Sequence, residues 1–112
     1  MEYEYESFNN FKELAAKHPK AAAELLEKFN EGEWQDNDLY WYPSEEDFAI
    51  YEIVDGWYSN LGLNQFVDFN GAPNPLNFID FKSFGDVLID SYDPTCNFET
   101  NNGEIVTTGY GF

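Results

Sequence analysis

Apolar residues recur along this chain with two periods, and the switches between them mark the elements. Phe8, Phe11, Leu14 and Ala15 fall on one face of a helix over residues 8–17, with Ser7 placed to cap it. Pro19 suits the first turn of a second helix over 19–30, whose stripe is Ala22, Leu25, Leu26 and Phe29. The two read as a helical hairpin with its lysines outward and Glu24 and Lys28 as an i,i+4 pair. Before them, residues 2–6 alternate Glu and Tyr and read as an extended lead-in.

After a loop over 30–37, the period falls to two. Residues 38–42, Asp-Leu-Tyr-Trp-Tyr, predict a strand that Pro43 ends. Ser44-Glu45-Glu46-Asp47 then resembles a capping box, and three acids in one first turn suit the positive end of a helix dipole. Ile50, Ile53, Val54, Trp57 and Leu61 follow at helical spacing and should face the core, with Asp47, Tyr51 and Asp55 on another face. Gly56 weakens this helix, so its end falls somewhere in 55–60. Residues 62–74 read as a long loop. Asn74-Pro75 opens a helix over 75–90, with Leu76, Ile79, Ser83 and Val87 along one side, Phe78, Phe81 and Phe84 along another, and Gly85 as its weak point. A β-hairpin closes the chain: residues 96–100 and 104–108 flank Asn101-Asn102-Gly103, with Phe98, Ile105 and Val106 on the buried side. Tyr110 and Phe112 are expected to dock last. The pattern gives an α+β fold in a single acidic domain, 1–112: a helical hairpin (1–30), then a small antiparallel sheet with the C-terminal hairpin, packed by two helices (31–112).

Charge changes this picture. The chain has 112 residues, 22 acids, five lysines and no arginine, for a net charge of −17. Four of the lysines (Lys12, Lys17, Lys20, Lys28) precede residue 29, and only Lys82 follows it. Between Phe29 and Phe81 stand eleven carboxylates and no Lys, Arg or His. The same stretch is rich in aromatics, so it is not a disordered acidic tail. Two carboxylates 6 Å apart in water repel by roughly 0.7 kcal/mol, so a fold that gathers many bears a cost. A plain solubility role or a high-salt habitat would spread acids over the whole chain; here the lysines segregate. Such a field repels nucleic acid and anionic membranes and attracts basic proteins.

Other chemistry has little material. Cys96 is the only cysteine, which rules out an internal disulfide, and in a β-like run it reads as a small buried hydrophobe. His18, the only histidine, is far from it in sequence and gives a poor nucleophilic pair. Asp36-Asn37-Asp38 and Asp68-Phe69-Asn70-Gly71 lack the Glu that would complete a calcium loop. No Gly-rich phosphate loop and no Cys/His cluster occurs, so no cofactor and no metal is expected. The acidic N-terminus lacks a signal peptide's features, and no apolar run reaches membrane length, so a cytoplasmic protein is expected. Trp34, Tyr40, Trp41 and Tyr42 could stack on sugars, but a domain of this size needs most of its large aromatics for its core.

The order of acids and aromatics resembles the ArdA family of antirestriction proteins. Glu4-Tyr5-Glu6-Ser7 with Phe11-Lys12-Glu13-Leu14, and His18-Pro19 through Leu26, are similar to that family's central helical part. Asp47-Phe48 through Asp55, with Asn60-Leu61-Gly62, is similar to the acidic helix of its last domain. Phe78-Ile79-Asp80-Phe81 followed by Phe84-Gly85 and Leu88 is the nearest correspondence, and Thr100 to Val106 resembles its closing hairpin. Asp86 stands where the family usually has Arg. The resemblance implies a DNA mimic that blocks the DNA-recognising core of Type I restriction-modification enzymes and forms elongated dimers. The expected function is therefore non-enzymatic inhibition of a basic DNA-binding protein, with Glu31, Glu33, Asp36, Asp38, Glu45, Glu46, Asp47, Glu52 and Asp55 as the main contact set, extended by Asp80, Asp86 and Asp90. No nucleic acid or membrane partner is expected; a homodimer through an apolar patch is compatible. An anti-CRISPR or immunity protein against another nuclease, and a small carbohydrate-binding domain, are the rival readings.

Overall fold

A computed structural model of the chain describes residues 2–64, 68 and 70–112. The fold is α+β: the described residues form four α-helices and a four-stranded antiparallel sheet. Strand β1 (Glu6–Phe8), helices α1 (Phe11–Lys17) and α2 (Pro19–Phe29), and strand β2 (Leu39–Tyr42) come first. Helix α3 (Glu45–Tyr51) runs on into a widened turn at Glu52–Tyr58; α4 (Phe81–Ser91), β3 (Asn97–Glu99) and β4 (Ile105–Thr108) follow. The sheet order is β1-β2-β4-β3.

The sheet is apolar on both faces, which its short strands conceal. β2 and β4 pair through Trp41↔Val106 on one face and Tyr42↔Ile105 on the other. Leu39 and Val106 join Leu14, Ala22, Leu25 and Trp34 in the core beneath α1 and α2. Tyr42 and Ile105 meet Phe48 on the opposite face, beneath α3. A third cluster, with Ile50, Ile53, Val54, Leu76 and Phe81, binds α3 to α4. Period-two alternation on central strands thus sorts one side chain to each helical layer.

Several expectations are corrected. The Glu-Tyr lead-in ends in a strand: β1 pairs Ser7 with Tyr40, so Ser7 cannot cap α1. Asn10 caps instead, accepting the Glu13 N–H at 3.0 Å. Glu24 does not reach Lys28 but accepts the Asn101 N–H at 2.8 Å, tying α2 to the terminal hairpin turn. The loop over 30–37 contains a 3₁₀ turn, Glu33–Asp36, whose Trp34 is buried. Trp57 and Leu61 are exposed rather than in the core. Over Glu52–Tyr58 the helix widens to i→i+5 bonding, with the Ser59 N–H directed at the Val54 carbonyl. Each wider turn rotates later side chains away from the 3.6-residue stripe. The helix expected over 75–90 is broken at 79–80, not at Gly85: Pro75–Phe78 is a 3₁₀ turn, and Asp80 caps α4 through the Ser83 N–H at 3.2 Å. Consequently Phe78 and Val87 are solvent-exposed, as is Tyr110, whereas Phe112 stacks on Phe29 at 4.7 Å. Cys96 is half-buried just before β3. The expected loop over 62–74 lies partly outside the described residues.

Candidate partner-binding surface

The two helical layers differ in charge. α1 and α2 carry Lys12, Lys17, Lys20 and Lys28, all exposed. On the other face of the sheet, Glu45 to Ser91 holds nine acids against Lys82. Among the described residues the ion pairs are Lys17–Glu6 and His18–Glu6, so the lysines neutralise one carboxylate of 22. Burial alone would raise the Glu6 carboxyl, but these two partners outweigh it and hold it below the usual range. His18 also stacks on Trp41 at 3.8 Å, so one face of the imidazole is covered while its Nε2 meets Glu6.

The expected contact residues sort into groups. Glu31, Glu33, Asp36 and Asp38 lie on the α2–β2 connection, anchored to the first layer by Trp34, which donates its indole N–H to the Asn30 carbonyl at 2.9 Å. All four are exposed. Asp36 and Asp38 line a hollow with Tyr40 and Tyr110. Glu45, Asp86 and Asp90 converge with Glu99 of β3, because α4 presses against the start of α3 at Gly85. Glu99 hydrogen-bonds Glu45, and with burial and the charges of Glu45, Asp86 and Asp90 its carboxyl rises to about 7. Glu46 is exposed on the first turn of α3.

Asp47 on α3 and Asp55 on the widened turn after it both hydrogen-bond the N-terminal segment, Asp47 half-buried and Asp55 still exposed. Asp47 accepts the Glu4 N–H at 2.9 Å and the Ser44 hydroxyl at 2.6 Å. Tyr3 donates its hydroxyl to Asp55 at 2.6 Å and meets the Tyr51 ring edge-on at 6.1 Å. Glu2 and Glu4 share a surface hollow with Asp47, so the N-terminal segment adds to the negative charge there. Glu52 turns inward: Tyr92 donates to it at 3.3 Å, and burial raises its carboxyl despite that bond. Asp80 is spent on capping α4, which lowers its pKa.

No family model, curated protein or solved structure matches the chain.

Reading by sequence missed Glu99, Glu2 and Glu4. The Glu-Tyr alternation over 2–6 carried the signal for the last two, since period two in so polar a segment marks one face laid against a neighbour. Glu99 gave none, because only the packing of α4 on α3 brings it to Glu45. No helix of the described residues is long and apolar enough to cross a membrane. Among the same residues no group of three or more His, Cys, Asp or Glu side chains is arranged to hold a metal ion.

Proposed function

We propose that this protein is a DNA mimic, a non-enzymatic inhibitor that occupies the DNA-binding groove of a restriction-modification enzyme. The observation that carries the reading is an elongated body whose 22 acids face five lysines and make ion pairs only through Glu6 among the described residues. The molecule measures 52 × 24 × 23 Å, with a radius of gyration of 15.3 Å, where a compact chain of this length has about 13 Å. Its 17 net negative charges along 52 Å amount to about one per 3 Å. Phosphates along one strand of duplex DNA recur about every 3.4 Å, and 52 Å spans about 15 base pairs.

A groove built for phosphates presents Lys and Arg at such intervals, and carboxylates satisfy those donors through charge-assisted hydrogen bonds. The absence of arginine suits this role, since a resident guanidinium would neutralise part of the field. The likeness to antirestriction proteins agrees in direction. Under this reading the acids act together, so the loss of one matters little.

The test is competition. Purified protein is titrated into a Type I restriction-modification enzyme bound to a labelled duplex, at low and at physiological salt. Displacement of the duplex at low salt, fading roughly tenfold or more as salt rises, is expected. Absence of displacement at any salt concentration, together with absence of protection of unmodified DNA, would overturn the reading. Displacement from another basic nuclease alone would move the target to the anti-CRISPR or immunity class.

A further inference from the structure

Glu52 is the one acid of the expected contact set that points into the molecule, and what surrounds it is unusual. A cleft of about 370 Å³ opens between the widened turn after α3 and the β2–β4 face of the sheet. Tyr40, Tyr42, Tyr51 and Tyr92 line it, with Glu52 and Cys96. The Tyr42 ring is 5.4 Å from Tyr51, and Tyr5 closes on Tyr51 at 4.8 Å from outside. The Tyr92 hydroxyl donates to Glu52 at 3.3 Å, holding the carboxylate beside the Tyr92 ring.

We propose that this cleft is a cation-binding pocket that takes the arginine or lysine side chain of a protein partner. Aromatic faces attract a cation within about 6 Å of the ring centroid, most strongly where water is excluded. A carboxylate lining the same cleft supplies the matching charge and a hydrogen-bond acceptor. Glu52 is half-buried with Tyr92 as its only hydrogen-bond donor shown among the described residues, so a positive guest relieves its desolvation. The neighbouring hollow, with Asp36 and Asp38, shares Tyr40 and Gly109 with the cleft and puts charge beside its entrance. The guest is assigned to a protein because the proposed partner presents Lys and Arg; to that extent the inference rests on the inhibitor reading. It adds a single anchoring contact to an otherwise distributed surface.

The test uses the protein alone, so its result is independent of any restriction enzyme. The capped peptide acetyl-Gly-Arg-Gly-amide is titrated while the tyrosine ring signals are followed by NMR. The lysine and glutamine counterparts and tetramethylammonium are titrated in parallel. Saturable shifts on Tyr40, Tyr51 and Tyr92 with the arginine and lysine peptides, and not with the glutamine peptide, are expected. Glu52→Gln should weaken this binding about tenfold, whereas Glu27→Gln, which removes the same charge from an exposed site on α2, should leave it unchanged. Alkylation of Cys96 with a bulky neutral reagent should abolish the shifts in the wild-type chain, so the outcome does not depend on a variant folding. Shifts that are absent, or equal weakening by Glu52→Gln and Glu27→Gln, would overturn the pocket. Tetramethylammonium binding in preference to both peptides would overturn its assignment to a protein side chain.

Discussion

A Cβ on Gly85 would stand 2.4 Å from the carbonyl oxygen of Glu45, closer than any real contact. The close approach of α4 to α3 therefore depends on a missing side chain. Alanine is the better helix former by about 1 kcal/mol, yet the collision decides the sign. We expect Gly85→Ala to lower stability in urea unfolding by about 1–3 kcal/mol, and a stabilised variant would refute the packing. The same approach creates the Glu45–Glu99 pair. With the Glu99 carboxyl at about 7 against an ordinary 4.5, the folded chain holds a proton that the unfolded chain has lost. Stability should therefore fall as pH rises from about 4.5 to about 7 and level off above it. Glu99→Gln removes this fall and is expected to be stabilising at pH 8 by about 1 kcal/mol after solvent screening, with little effect at pH 4. Thermal unfolding across that range checks both parts. Gly85 was legible as a helix weak point but not as a contact, because its partner is 40 positions away.

Elements follow the sequence closely where local chemistry decides and depart from it where a strand claims the residue. Pro19 begins α2, Ser44 caps α3 by accepting the Asp47 N–H at 3.1 Å, and Gly103, at φ 84°, turns the hairpin as expected. Ser7 has the composition of a cap but sits in β1 opposite Tyr40, and Asn10 takes the role. Asn10→Ala should thus cost about 1 kcal/mol in chemical unfolding, and Ser7→Ala clearly less. Equal costs would contradict the boundary of α1. Glu24 illustrates the same limit: its spacing to Lys28 suggests a helical ion pair, but a backbone N–H from the hairpin is a better-placed donor. The widened turn over Glu52–Tyr58 had no signal beyond Gly56, and it rotates Trp57 out to solvent.

For the whole molecule, charge is set against shape. The sheet divides a helical layer with four lysines and three acids from one with nine acids against Lys82, while Glu31, Glu33, Asp36 and Asp38 stand on the connection tied to the first layer. A field of this kind is distributed. Asp86→Asn, Asp90→Asn or Glu33→Gln alone should each weaken partner binding less than threefold, and all three together by tenfold or more, as measured in the duplex competition. A single one of them abolishing activity would instead favour a localised site of the carbohydrate-binding kind. Acid should also weaken the fold. Glu6, Asp80 and Asp93 are held below their ordinary values by hydrogen-bonding partners, so the stability they add is present above about pH 4.5 and is lost as pH falls further. With the opposite trend of Glu99, unfolding temperature should peak near pH 4 to 5.

The sequence by itself determined the α+β class, the terminal hairpin, the starts of α2 and α3, and an acidity that its lysines do not offset. These follow from periodicity, turn chemistry and composition, which act over a few neighbouring residues. Only the tertiary structure decided that Asp47 and Asp55 hydrogen-bond the N-terminal segment, that Glu99 joins Glu45, and that Glu52 faces a tyrosine cleft. Those placements depend on how distant segments pack, and short-range patterns carry no record of which faces will meet.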